Sequence, residues 1–148
     1  MENKISLSLD LVNAIMGFLG KQPYEHVFSL INAIQITPID FIVVEGLRSK
    51  ERQAYLVEKG ASKTLNSRHL TGDAVDLAPI VDNKVSWDWK HFYPLAEAVK
   101  EAAKQLRTEV RWGGTWKNLS ETEFKDGKVE LSKTFPDGPH FEIPRSKS

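Results

Sequence analysis

No cysteine occurs among the 148 residues, and that absence constrains the fold more than any other single feature. Without disulfides or thiolate metal sites to staple it, the chain has to be held by an apolar core. Its length allows one, since about 150 residues is a common size for a single domain with a core of its own. Hydrophobic residues make up 41% of the sequence and charged residues 27%, proportions of a globular rather than a disordered chain. The missing thiols also exclude iron–sulfur clusters, redox dithiols and cysteine nucleophiles. Any metal is therefore left to imidazole and carboxylate ligands, and four histidines are present.

Twenty basic residues balance twenty acidic ones, with eight of each in residues 1–74 and twelve of each in residues 75–148. Neither half is a basic arm, so a nucleic-acid partner is not expected. The apolar run at 14–20 is far short of the ~20 residues that a membrane span needs. Asp10 and Asn13 interrupt the start as a signal peptide, so the expectation is cytoplasmic synthesis without membrane insertion.

Hydrophobic spacing divides the chain into alternating helical and extended segments. Leu9, Leu11, Val12, Ile15, Met16, Phe18 and Leu19 fall mainly at helical spacing before Gly20. A second helix is expected at about 24–36, with Val27, Leu30, Ile31 and Ile34 on one side and Pro38 beyond its end. Together they form an expected N-terminal helical hairpin over 1–36. The β-branched run at 41–44 reads as a buried strand entering a glycine turn. Ser49 then caps a helix carrying Ala54, Leu56 and Val57 as its apolar residues and closing at Gly60. Residues 61–68 read as a loop. Residues 73–79 alternate, with Ala74, Asp76 and Ala78 on one face and Val75 and Leu77 on the other.

After a turn at 82–84, Asp88 caps the longest helix, whose stripe runs through Phe92, Leu95, Ala96, Val99, Ala102, Ala103 and Leu106. Residues 110–112 read as a strand, 117–134 as a polar excursion, and 140–143 as a last short strand. The expected architecture is α+β, a small and mainly antiparallel sheet flanked by helices, in one domain over 1–148.

Two stretches carry chemistry. Residues 67–76 place His69 in a loop seven residues before Asp76, a carboxylate inside a strand, with Gly72 between them to fold the chain back. Residues 135–142 bring His140 to the start of a strand, three residues after Asp137. His69, Asp76 and His140 supply three neutral or anionic ligands, the number found in catalytic zinc sites that leave the fourth position to water. Such a site needs a base, and Asp137 is the candidate, although Pro-Asp-Gly-Pro is also a good turn sequence. Arg48, leaving the first strand, is placed to steady negative charge or to pair on the surface with Glu45 or Glu51. Ser67, Gln53 and Trp112 are candidate substrate contacts, set against solvated roles for the first two and core packing for Trp112 and Trp116. Glu142 shares a face with His140. His26 and His91 have no acidic or histidine partner at ligand spacing and read as ordinary helical residues.

Ser-x-His-x-x-Gly-x-Ala-x-Asp at 67–76 followed by Asp-x-x-His at 137–140 resembles the zinc peptidases of the D-alanyl-D-alanine carboxypeptidase group. Among these, the phage L-alanyl-D-glutamate endolysins are most similar. Gly46-x-Arg48 and Trp112-Gly113-Gly114-x-Trp116 fit the same pattern, so the resemblance spans about 41–143 as a catalytic core and leaves 1–36 unplaced. It implies a hedgehog/D-Ala-D-Ala-peptidase-like fold, Zn2+ on His69, Asp76 and His140, Asp137 as general base, and Arg48 against the substrate or the developing oxyanion.

Aspartate rather than glutamate at 137 is similar to the phage endopeptidases. The implied substrate is the L-alanyl-D-glutamate bond of the peptidoglycan stem peptide, cut by a monomer that reaches the wall after release with a separate membrane-permeabilising protein. Glu121, Glu123 and Asp126 do not make a calcium-ligand pattern. The rival readings are a D-alanyl-D-alanine carboxypeptidase or dipeptidase, and a binding module that zinc merely stabilises.

Overall fold

The alternating stretch expected at 73–79 becomes the hub of the sheet. In the computed structural model, which describes residues 25–62 and 64–144, the elements follow in a fixed order. Helix α1 (Glu25–Gln35) leads to strand β1 (Phe41–Glu45) and helix α2 (Lys50–Glu58). A 3-10 turn (Arg68–Thr71) then delivers the chain into β2 (Ala74–Val81), which turns back as β3 (Lys84–Val85). Helix α3 (Trp89–Gln105), β4 (Arg111–Trp112), β5 (Lys117–Asn118), a second 3-10 turn (Leu119–Glu121) and β6 (His140–Glu142) complete the fold. The strands lie in the order β1-β2-β6-β4-β5, with β3 on β2. Every pairing is antiparallel.

Strand alternation separates a packing face from a chemical one. Val75 and Leu77 of β2, Phe141 of β6 and Trp112 of β4 enter the core, where they meet Phe92, Leu95, Ala96, Val99, Ala102 and Ala103 of α3. Asp76, His140 and Glu142, at the intervening positions, face the other way. Each fully buried aliphatic side chain here contributes about 1.5–3 kcal/mol. Helix α1 belongs to the same core through Val27, Leu30, Ile31 and Ile34. The core thus begins upstream of the 41–143 stretch that carries the motifs. The other arm of the expected N-terminal hairpin lies outside the described residues.

Asp88 and Ser49 cap α3 and α2 as expected, accepting hydrogen bonds from the backbone N–H groups of Lys90 and Arg52. Helix α2 departs from expectation. Ala54 is exposed, Leu56 and Val57 are half-buried, and the buried residue is Gln53. The helix is held by a polar contact because it packs over the site rather than over the apolar core. The excursion at 117–134 is also more structured than its composition suggests, with β5, the 3-10 turn and a bridge between Lys125 and Lys128. Phe124, within it, packs 6.2 Å from the Trp112 ring. No helix among the described residues is long and apolar enough to cross a membrane.

Candidate metal centre and active-site cleft

Three local structures bring the two sequence motifs together. The 3-10 turn starts at Ser67, whose Oγ accepts the backbone N–H of His69 at 3.2 Å. It ends at Gly72, whose φ of 76° sends the chain into β2, a conformation that costs glycine little and other residues more. His69 is left 1% exposed. Its Nδ1–H donates to the Gly46 carbonyl at 2.8 Å; a carbonyl can only accept, so Nε2 is the unprotonated nitrogen. On the sheet, Asp76 of β2 and His140 of β6 are direct register partners. The Nε2–H of His140 donates to Glu142 Oε1 at 2.8 Å, which leaves Nδ1 with its lone pair. Outer contacts of this kind orient metal-ligating histidines and set their tautomers.

The two lone pairs and the Asp76 carboxylate converge. His69 Nε2 lies 3.2 Å from His140 Nδ1 and 3.3 Å from Asp76 Oδ1, and His140 Nδ1 lies 3.4 Å from the same oxygen. That oxygen is buried and receives no well-directed hydrogen bond, so the short contacts are ones of charge and proximity. Ligand atoms held tetrahedrally about 2.0–2.1 Å from a small divalent ion stand roughly 3.3 Å apart. The donor set and its spacing therefore fit such an ion, and no other histidine–carboxylate group among the described residues converges in this way.

The charges agree with the geometry. Burial alone would raise the Asp76 pKa, but the His140 and His69 imidazoles hold it well below the usual carboxylate range. For His140, burial favours the neutral ring, yet the Asp76 and Glu142 carboxylates outweigh it and push the pKa up to about 9. Glu142 is lowered despite its burial by the bond from His140. Without a metal, then, a proton occupies the position among the carboxylates that a cation can take. Asp137 moves the opposite way: burial, and after it the charge of Asp76, raise its pKa.

The centre opens into a cleft of about 750 Å³ lined by Arg48, Ser67, Arg111, Trp116, Phe135 and Asp137 among others. Asp137 is half-buried and its carboxylate makes no hydrogen bond among the described residues. Its backbone N–H donates to the Gly113 carbonyl, and the Gly113 N–H donates to the His140 carbonyl, both at 2.8 Å. A Cβ on Gly113 would collide with the Asp137 carbonyl. The Trp-Gly-Gly turn is thus the seat on which residues 137–140 rest.

Two candidate substrate contacts lie elsewhere. Trp112 is fully buried, stacked 6.3 Å from the Phe141 ring, with its Nε1–H donating to the Gly138 carbonyl at 2.8 Å. It has no surface to offer a substrate. Trp116 is the tryptophan that reaches the cleft, 5.3 Å from the His140 ring. Gln53 is also buried: its amide donates to Ser62 Oγ at 2.8 Å, and its Oε1 accepts from Arg48 Nη1 at 2.8 Å. Arg48 spends its other donors on Glu45, Nε to Oε1 at 3.1 Å and Nη2 to Oε2 at 2.6 Å, and faces Asp76 Oδ2 at 3.7 Å. Ser67 lines the cleft, while its oxygen caps the 3-10 turn.

Glu45, Glu142 and the Gly46 carbonyl complete the site. Each carried a signal in sequence: Glu142 its shared face with His140, Gly46 its place in Gly-x-Arg, and Glu45 its expected pairing with Arg48, which is buried rather than on the surface. His91 pairs with Ser86 Oγ at 2.6 Å, away from the centre, and the His26 side chain lies outside the described residues.

The chain is similar to known proteins. A family model described as phage L-alanyl-D-glutamate peptidase matches residues 21–143. The L-alanyl-D-glutamate peptidase of Escherichia phage T5 is 33% identical over 115 residues, covering 75% of this chain and 80% of that protein. The protein of the same name from Listeria phage A118 is 36% identical over 78 residues, 53% of this chain and 27% of that one. The crystal structure of the Serratia marcescens L-Ala D-Glu endopeptidase ChiX matches with a TM-score of 0.69 and 35% identity, covering 93% of this chain and 86% of that one. The match takes in α1, the whole sheet and both halves of the metal centre, and the chain belongs to the phage L-alanyl-D-glutamate peptidase family.

Proposed function

We propose that the chain hydrolyses the L-alanyl-D-glutamate amide bond of the peptidoglycan stem peptide, with zinc held by His69, Asp76 and His140. The observation that carries this reading is the triangle of His69 Nε2, His140 Nδ1 and Asp76 Oδ1, with both imidazole tautomers set from outside by Gly46 and Glu142. Two nitrogens and one oxygen suit zinc, and a set of three protein ligands is that of a catalytic rather than a purely structural site. When bound, zinc supplies Lewis acidity, polarising the scissile carbonyl and making water a stronger acid.

The protein groups do the rest. Asp137, beside the centre with an unspent carboxylate and a raised pKa, takes the proton of the attacking water and returns it to the leaving amine, a task favoured by a pKa nearer the working pH. Arg48 acts through Asp76, because its guanidinium is already occupied by Glu45 and Gln53. The biological counterpart is lysis of the bacterial wall by an enzyme made in the cytoplasm and reaching its substrate with the help of a separate permeabilising protein.

Digestion of purified peptidoglycan with and without a chelator, followed by mass spectrometry, tests the reading. New L-alanine C-termini and D-glutamate N-termini that vanish with chelator and return with zinc are expected. Released D-alanine identifies a carboxypeptidase instead, and no cleavage identifies a binding module. Asp137→Ala keeps the metal and loses hydrolysis by at least about a hundredfold; full activity in that variant removes Asp137 from the mechanism.

A further inference from the structure

The cleft is acidic where an acidic substrate has to bind. Asp76, Asp137 and Glu142 all line it, and glutamate joined to L-alanine through its nitrogen keeps two carboxyl groups, of which the onward peptide bond uses one. The other is a free anion in the same residue as the scissile nitrogen. It needs a cation with donors to spare, and three arginines line the cleft.

Two of them are enclosed, the Arg48 side chain being 8% exposed and that of Arg68 16%. Arg48 is buried, with bonds to Glu45 and Gln53 from all three guanidinium nitrogens. Arg68 binds the Ile143 carbonyl through Nη2 at 2.7 Å, lies 3.4 Å from Asp73, and has its Nε buried out of reach. Arg111 differs. Its side chain is 42% exposed, with Nη1 a loose 4.0 Å from Glu142 Oε2. Nε donates to the Trp116 carbonyl at 3.0 Å and the guanidinium lies 5.2 Å over the Trp116 ring. Nε is thus fixed by the backbone and the guanidinium plane by the aromatic ring, while the Nη1 edge makes no hydrogen bond and only the loose contact with Glu142, the preorganisation that suits arginine to planar, bidentate carboxylate recognition.

Its position is also suitable. The Glu142 carboxylate faces both Arg111 and His140, and the Trp116 ring lies 5.3 Å from the His140 ring and under the Arg111 guanidinium. We propose that Arg111, clamped on Trp116, is the specificity residue that receives the free carboxylate of the D-glutamyl residue on the leaving side of the scissile bond. This rests on the L-alanyl-D-glutamate reading above and adds to it the recognition of the substrate's charge.

The test compares two synthetic stem peptides that differ only in whether that carboxylate is free or amidated, and reads the ratio of their kcat/KM values. Both substrates sample the same enzyme preparation, so the ratio is unaffected by partial unfolding of a variant. Wild type is expected to favour the free acid by about tenfold or more. Arg111→Gln is expected to bring the ratio close to one, and Arg111→Lys to retain part of it. A wild type without preference, or an Arg111→Gln variant with the wild-type ratio, overturns the proposal. Wild type that cuts neither peptide at L-alanyl-D-glutamate overturns the underlying reading, and the proposal with it.

Discussion

Glu142 Oε1 accepts the Nε2 proton of His140 at 2.8 Å, from two positions further along the same face of β6. The contact fixes which imidazole nitrogen is offered to the centre. Glu142→Ala is therefore expected to weaken zinc binding about 10–100-fold, measured by competition with a chromogenic chelator. Glu142→Gln keeps an acceptor at the same place and is expected to retain most of the affinity. Unchanged affinity in the alanine variant would remove the orienting role.

The same contact gives the metal-free protein a characteristic pH dependence. Asp76 and Glu142 hold His140 at a pKa of about 9 against the opposing effect of burial, compared with 6.5 for an ordinary histidine. A group whose pKa is raised on folding stabilises the fold fully below its unfolded pKa and loses that contribution as pH passes its folded one. The Tm of chelator-treated protein is expected to fall between pH 6.5 and about 9, and His140→Asn to flatten that slope. Zinc competes with the proton on His140 Nδ1, so zinc-dependent stabilisation is expected to grow over the same interval. A Tm independent of pH without metal would contradict the charge arrangement.

Gly113 supports the site by having no side chain. A Cβ there would collide with the Asp137 carbonyl and lie 3.0 Å from the Cβ atoms of Asp137 and His140, atoms at or next to backbone that cannot swing away. Gly113→Ala is expected to cost about 1–3 kcal/mol by overpacking, seen in denaturant unfolding. Activity should fall further than the folded fraction does, because Asp137 and His140 move together.

Gln53 is the buried polar residue of α2. Gln53→Leu preserves bulk but takes from Arg48 Nη1 its acceptor and from the Thr64 carbonyl one of its two donors. Stability is expected to drop by about 1–3 kcal/mol, measured by chemical denaturation. An unchanged midpoint would show that water replaces the amide at no cost.

The convergence of His69, Asp76 and His140 was legible because each half of the group is local. His69 and Asp76 sit within one ten-residue stretch and Asp137 and His140 within four, so spacing and turn chemistry alone bring them to notice. The long amphipathic stripe of α3 and the alternation of β2 were legible for the same reason. Arg48 was a harder case: its cationic type was plain, but its enclosure depends on Glu45, placed by an irregularity in β1 between Val43 and Glu45, and on Gln53 from the next helix. The two tryptophans around Gly113-Gly114 are equivalent as letters. What separates them is the backbone, extended at Trp112 and left-handed at Trp116 with φ of 56°, which buries one ring and turns the other into the cleft. β4 falls within the strand expected at 110–112, whereas the two-residue β5 is too short for any periodicity to announce.

His69 and His140 are 71 residues apart in the chain, and Asp76 meets His140 only once β6 has zipped onto β2. The reaction centre consequently has no partial form: a nascent or loosened chain lacks not merely efficiency but the third ligand itself. Hydrolytic competence is therefore expected to be an all-or-none readout of tertiary closure, and an ion held by His69, Asp76 and His140 would also clasp β6 to β2.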